Sequence, residues 1–514
     1  MKKLFSKFNL LFAGLTLFFL GAFVNEKINN ISISDIQIAE KIIGIDFTEA
    51  EADSMLYLLS EHRLNFENMR KVEIPNSVPP AYVFNPIPVG KKINQSKELF
   101  VISNYKNTLV PENMNELAYY SIGQLDYLIQ TKKISSVQLT QFFTDRLKKH
   151  APQLNCVITF TDALAMQQAR EADREISAGI YRGLLHGIPY GIKDMFSTKN
   201  YVTSFGTAPF RNQLINEDAT VVKKLQDAGA ILIAKLSLGE LAMDDIWFGG
   251  MTRNPWDTDK GSSGSSAGPA SSVSAGLVPF AIGSETWGSI VSPATVCGVS
   301  GLRPTFGRIS RLGAMALSWT MDKIGPLCRN AEDCAIVLKA IAGKDELDPS
   351  TTDFPFNYNP NLDFGKLKIG YFINDFNKDT SINKAFNDAA LAILKKMGVE
   401  LIPIQFPDLP INDMALLLEC EAAAAFDDLT LSNRDDQMLQ QDKNRWPNYF
   451  RAAHFIPATE YIRANRLRFM LIQKMEEVMK QVDCCIAPSM AGDNLLATNL
   501  TGHPAVVIPN GFIE

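Results

Sequence analysis

Two rhythms of apolar residues run along this chain. In "SSVQLTQFFTDRLKKH", Val137, Leu139, Phe142, Phe143 and Leu147 recur at helical spacing behind the capping-box pattern Ser135-x-x-Gln138, and Ser121-x-x-Gln124 opens a shorter helix just upstream. The second rhythm is a repeated unit. Asp218 stands where it can cap the helix "ATVVKKLQDA", Gly229 is placed to end it, and the β-rich run "AILIAKL" follows. Farther on, "KLKIGYF", the helix "INKAFNDAALAILKKM", Gly398 and "VELIPI" repeat the order. Helix, glycine, buried strand is the grammar of an α/β fold, and no fixed-period repeat suggests a solenoid or propeller.

The N-terminus follows another pattern. Lys2, Lys3 and Lys7 precede an uncharged apolar run at positions 10–24, the basic and hydrophobic regions of an export signal. That run is shorter than the ~20 residues a membrane-spanning helix needs, so residues 1–25 predict a signal peptide and a periplasmic or secreted protein. No A-x-A cleavage site follows, which leaves an uncleaved N-terminal anchor as the alternative and as the chain's one expected membrane contact. Residues 26–115 read as a helical and then proline-rich extension, "PNSVPPAYVFNPIPVG", wrapped on a main domain spanning 116–514.

Composition narrows the function. The 514 residues are 46% hydrophobic and 21% charged with a net charge of −6, which excludes a disordered or fibrous chain and gives no overall attraction to nucleic acid. Seven scattered cysteines without a C-x-x-C pair are neither a disulfide framework nor a zinc site, and the five histidines never take metal-ligand spacing. No metal and no organic cofactor is expected.

Between residues 261 and 313 Gly and Ser crowd "GSSGSSAGPASSVSAG", "GSETWGS" and "GVSGLRPTFGR", yet apolar "LVPFAI" and bulky Trp287 are interleaved, so this is no solvated linker. Close backbone packing with many exposed N–H groups and hydroxyls is the expectation. "GIPYGIKD" lacks the spacing of a phosphate loop. "GSSAG" formally matches a nucleophile elbow centred on Ser266, with His503 downstream as a partner, but an elbow needs a preceding strand and "RNPWDTDKG" predicts none. Lys193 is more suggestive. It is either an ordinary surface lysine paired with Asp194, or an amine desolvated by apolar neighbours and able to act as a base.

With Lys193 in "GIPYGIKD", a serine-rich loop at 261–268 and Ser289 in "GSETWGSI", the chain closely resembles the amidase signature family. That family carries a lysine in a G-[IV]-P-x-x-x-K-D segment, a serine on a cis peptide bond in a G-S-S-G-G-type loop, and a nucleophilic serine in G-T-D-x-G-G-S-I. "SPATVCGVSGLRPTFGRISRLG", "MDKIGPLCRNAEDCAIVL" and "DNLLATNLTGHPAVVIPNGF" resemble its later segments, in the same order. The family keeps 24 positions between its two serines; Ser265 stands 24 before Ser289 and Ser262 stands 27 before it, so Ser265 takes the bridging role with Ser262 as fallback. Trp287, Glu285 and Val291 depart from the family's usual Gly, Asp and Arg, and family members continue past "NGFIE", which implies a truncated chain.

The resemblance implies a single large domain, a twisted mixed β-sheet flanked by helices. It implies an amide hydrolase in which Lys193, Ser265 and Ser289 pass protons and attack the carbonyl, through an acyl-enzyme. The backbone N–H groups of Thr286, Trp287, Gly288 and Ser289 would hold the oxyanion, and Ala242 and Met243 in "GELAMDDIWF" would face a small-molecule or peptide amide. Alternatives are the glutaminase subunit of a tRNA-dependent amidotransferase, a non-catalytic binding protein on the same scaffold, and an elbow-type esterase using Ser266.

Overall fold

The computed structural model describes residues 31–513 except 45, 70, 73–74, 79–81 and 94–96; the apolar run read as an export signal lies outside the described residues. Described residues up to 75, with 455–457, form one compact unit, and residues 76–454 with 458–513 form a second. The first unit contains the helices Ile33–Ile43 and Glu49–Met69. Ser32 and Asp35 form a capping box at the start of the former, and Gly44, at φ +68°, closes it. No helix of the described residues is long and apolar enough to cross a membrane.

The second unit holds the sheets. In chain order the principal strands are β1 (Val157–Phe160), β2 (Pro189–Lys193), β3 (Ile231–Leu236), β4 (Phe280–Glu285), β5 (Ser300–Arg303), β6 (Lys323–Cys328), β7 (Lys368–Phe372), β8 (Glu400–Ile404), β9 (Cys484–Ile486) and β10 (Ala505–Val507). Seven of them form one sheet in the order β1-β3-β2-β4-β6-β5-β10. It is mixed: β2 runs parallel to β3 and β4, whereas β1, β6 and β10 pair antiparallel with their neighbours. Strands β2, β3, β4 and β6 are buried along their whole length, as strands covered on both faces by helices must be.

The two helix, glycine, strand units end in different sheets. "AILIAKL" becomes β3 of the main sheet, while "KLKIGYF" and "VELIPI" become β7 and β8 of a separate parallel sheet ordered β8-β7-β9. The difference is burial: β8 is exposed at Glu400 and Pro403 and fully buried only at Ile404, which suits a peripheral sheet, whereas β3 has no exposed residue.

Both capping boxes form, Ser121 accepting from the Gln124 amide and Ser135 from the Gln138 amide. Asp218, by contrast, does not cap its helix. The helix Thr220–Asp227 starts behind Ala219 with no side-chain cap, and Asp218 accepts instead from the Lys199 amide at 2.7 Å. "RNPWDTDKG" also departs from expectation. It folds into a short antiparallel ribbon, Arg253–Asn254 with Asp257–Gly261, reversing at Pro255 and Trp256.

The Gly/Ser crowding has the steric cause anticipated for it. Helix Ala267–Ser274 is buried from 267 to 273, and a Cβ on Gly268 would stand 2.5 Å from the Ser237 amide nitrogen and 2.6 Å from the Cys156 carbonyl oxygen. On β4 a Cβ at Gly283 would meet Ser266 Oγ at 2.6 Å. Small residues let this helix lie directly on the sheet, which brings its N-terminal serines to the ends of β2 and β4.

Candidate active site

Lys193 is the last residue of β2 and is completely buried. Its sequence neighbour Asp194 does not pair with it. The carboxylate bonds Lys235 of β3 at 2.7 Å and also accepts from the amide and hydroxyl of Ser204. Burial therefore acts on the Lys193 amine without an adjacent counterion and lowers its pKa to about 7, against the weaker upward pull of Asp322 and Glu285. The desolvated-base reading of Lys193 fits this environment, and the surface-lysine reading does not.

Three hydroxyls surround the amine: Ser265 Oγ at 2.7 Å, Ser284 Oγ at 2.9 Å and Ser266 Oγ at 3.4 Å. Two have their protons engaged elsewhere. Ser284 donates to Met195 Sδ at 2.8 Å, and Ser266 donates to the Ser284 carbonyl at 3.1 Å while accepting from the Ser284 amide. A neutral amine has two N–H donors and one lone pair, so Ser284 and Ser266 can accept from it. Ser265 is then the hydroxyl left to donate into the lone pair. The peptide bond Gly264–Ser265 is cis. Ser262, the fallback, donates to the Ser263 carbonyl at 2.9 Å and makes no hydrogen bond to Lys193 among the described residues.

The elbow alternative finds no support in these contacts. Ser266 is buried with its hydroxyl satisfied, and no hydrogen bond joins it to His503 among the described residues. His503 Nδ1 instead shares a 2.7 Å hydrogen bond with Thr501, and burial beside Arg303 lowers its pKa to about 4.

Ser289 follows β4 on a tight turn that several interactions fix. Glu285 is buried, and one carboxylate oxygen accepts from the amides of Ile290 and Val291, both at 2.9 Å. The other accepts from Arg303 at 2.6 Å and Asn499 at 2.7 Å. Burial would raise the Glu285 pKa, but Arg303 and these hydrogen bonds outweigh it and hold it at about 2. A permanent carboxylate thus grips the backbone just after the serine. Thr286 is tied to buried Asp322 at 2.6 Å, and Gly288 takes φ +89°, which suits glycine. Among the described residues the amides of 286–289 donate no hydrogen bond, so this turn presents free donors. The Ser266 amide bonds the Ser289 carbonyl at 3.0 Å and locks the two serine loops together, although no hydrogen bond joins the Ser265 and Ser289 hydroxyls. Exposure rises from 0% at Lys193 through 1% at Ser265 to 8% at Ser289, so the amine is sealed and the last serine lies nearest solvent.

Ala242 and Met243 lie on a contorted loop. Leu241, Ala242 and Asp244 have φ of +46°, +63° and +53°, a sparsely populated region for side chains other than glycine. A Cβ on Gly264 would stand 1.7 Å from the Asp244 carbonyl oxygen, so the loop lies against the peptide that carries Ser265. A distant segment holds it there. Buried Glu240 accepts from the amides of Leu439 and Gln440 and from Thr207, Trp446 Nε1 donates to the Leu241 carbonyl at 3.0 Å, and Arg445 pairs with Asp244.

Sequence reasoning missed Ser284, Arg303, Asp322, Asn499 and Glu240. Ser284 stood inside the quoted "GSETWGS", but nothing in the spacing links Glu285 to Asn499 or Glu240 to Leu439. Among the described residues no group of three His, Cys, Asp or Glu side chains could hold a metal ion.

Comparison with known proteins identifies the family of the chain. The amidase family model matches residues 138–508. A glutamyl-tRNA(Gln) amidotransferase subunit from Coxiella burnetii is 33% identical over 448 residues, covering 77% of this chain and 91% of the relative. Its counterpart from Carboxydothermus hydrogenoformans is 32% identical, with 77% and 92% covered. Among solved structures, the native peptide amidase of Stenotrophomonas maltophilia superposes with a TM-score of 0.67 at 29% identity, covering 77% of this chain and 91% of that one. With its fold, its sequence and most of its length in agreement, this chain belongs to the amidase family and is an amide-bond hydrolase.

Proposed function

We propose that the protein hydrolyses carboxylic amides through Ser289, with Ser265 and Lys193 as its proton relay. The observation that carries this reading is the 2.7 Å contact between Lys193 and Ser265, in a ring where the other two hydroxyl protons are engaged elsewhere. Neutral Lys193 takes the Ser265 proton, Ser265 takes the proton of Ser289, and the Ser289 oxygen adds to the carbonyl carbon. The free amides of residues 286–289 receive the oxyanion. As the tetrahedral adduct collapses, the C–N bond breaks and the relay returns the proton to the departing nitrogen; water then cleaves the acyl ester by the same path in reverse. The Ser289 hydroxyl turns toward Ser265 as substrate docks, since catalytic hydrogen bonds commonly tighten only in the complex.

The test is a serine-directed fluorophosphonate followed by peptide mass spectrometry. An adduct on Ser289, lost in Lys193→Ala, supports the relay; an adduct on Ser266, or on neither serine, overturns it. A second reading, glutamine hydrolysis within a tRNA-dependent complex, is favoured by the names of the amidotransferase relatives. Co-purification of partner subunits with the native chain, together with glutaminase activity, would select it.

A further inference from the structure

Trp287 is the residue we propose as the specificity determinant of this site, a platform for a flat apolar group carried next to the scissile amide. The inference rests on the hydrolytic reading above. Its side chain is 44% exposed, two positions before Ser289, where two residues of chain span at most about 7 Å. The indole is only partly covered, and its N–H is unspent within the described residues. The Nε1 donors of Trp247, Trp256 and Trp446 go to the carbonyls of Asn155, Cys297 and Leu241, and each of these rings meets another aromatic ring. Among the described residues Trp287 has no hydrogen-bond acceptor, no ring partner and no cation over its face; half-buried Trp319 lacks them too, but only Trp287 stands in the turn that carries Ser289. A buried indole N–H normally finds such a partner, and one exposed to this degree remains available to a ligand.

The mount is rigid where the ring is free. Thr286 on one side is bonded to Asp322, and the backbone beyond Ser289 is gripped by Glu285. A large ring on a fixed backbone, with two side-chain torsions to order, loses little entropy on stacking. Three residues past Ser289, Ser292 donates to Met490 Sδ at 3.5 Å, and Met490, 60% exposed, is a soft apolar side chain near this turn. Flat apolar surface plus one unspent N–H donor suits an aromatic substituent better than a short polar chain.

The experiment compares kcat/KM for acetamide, phenylacetamide and acetanilide in the wild type and in Trp287→Gly, Trp287→Leu and Trp287→Phe, with thermal unfolding to verify that each variant is folded. The second and third substrates place the ring on the acyl and leaving sides, so they distinguish where it binds. We expect one of the two aromatic-to-acetamide ratios to fall about tenfold in Trp287→Gly and by less in Trp287→Leu, and Phe to restore most of it. If both ratios stay within about twofold of wild type in a folded, active Trp287→Leu variant, the inference falls and the hydrolytic reading stands. If the wild type cleaves none of these amides and Ser289 takes no fluorophosphonate, the hydrolytic reading falls and takes this inference with it.

Discussion

Lys193 is kept short of a counterion by its neighbours, and its chemistry follows from that. A base works when deprotonated, so kcat/KM should be low in acid, rise as pH passes through about 7 and level off above it, a profile read directly from initial rates. Lys235→Met leaves the buried Asp194 carboxylate without its 2.7 Å partner on β3. The same change should lower stability by about 3–5 kcal/mol in a denaturant titration, because it strands a buried charge. Ser265→Ala should reduce kcat/KM by about 10²-fold or more, whereas Ser262→Ala, whose hydroxyl only bonds the Ser263 carbonyl, should be mild. The 24-residue spacing made Ser265 legible before any coordinates. What it did not reveal is Ser284, whose relevance depends on Met195 taking its proton, a contact 89 positions away in sequence.

Among the elements, the turn after β4 and the loop at 239–244 are each held by a buried carboxylate. Glu285→Gln keeps the shape but removes the charge opposite Arg303, and its amide nitrogen cannot accept from the Ile290 and Val291 amides. We expect a loss of about 10²-fold in kcat and a lower Tm, with KM changed less, since the turn presents donors to the oxyanion rather than to the ground state. Glu240→Ala leaves the Leu439 and Gln440 amides without an acceptor, at about 1–3 kcal/mol each, and frees the contorted loop, so Tm should fall and KM should rise. The capping boxes at Ser121 and Ser135 were readable because a cap needs residues only three positions apart. Asp218 failed as a cap because the Lys199 amide, 19 positions away, competes for its oxygen. Glu240 was invisible for the same reason on a larger scale, as was the contact of Glu285 with Asn499: in both the partner lies about 200 residues distant.

For the whole molecule, the family resemblance and the alternation of helices with buried strands were enough to place a mixed sheet in the chain, because full burial on both faces writes itself as continuous apolar sequence. The second sheet was not legible; β7 and β8 obey the same local grammar as β3, and only their partial exposure separates them. Export through residues 1–25 is a proposal at this scale: native protein recovered outside the cytoplasm should begin after the apolar run, and intact Met1 in a cytoplasmic fraction would refute it. Gly264 carries a final consequence. With the Asp244 carbonyl filling the place of its missing side chain, the loop at 239–244 and the peptide bearing Ser265 share one wall. Such a wall resists tinkering: inserting or deleting residues in that loop displaces the relay serine along with it. Divergence toward new substrates, in nature or in a mutant library, is therefore channelled into side chains at fixed backbone positions, and loop-length variants should be recovered only as inactive clones.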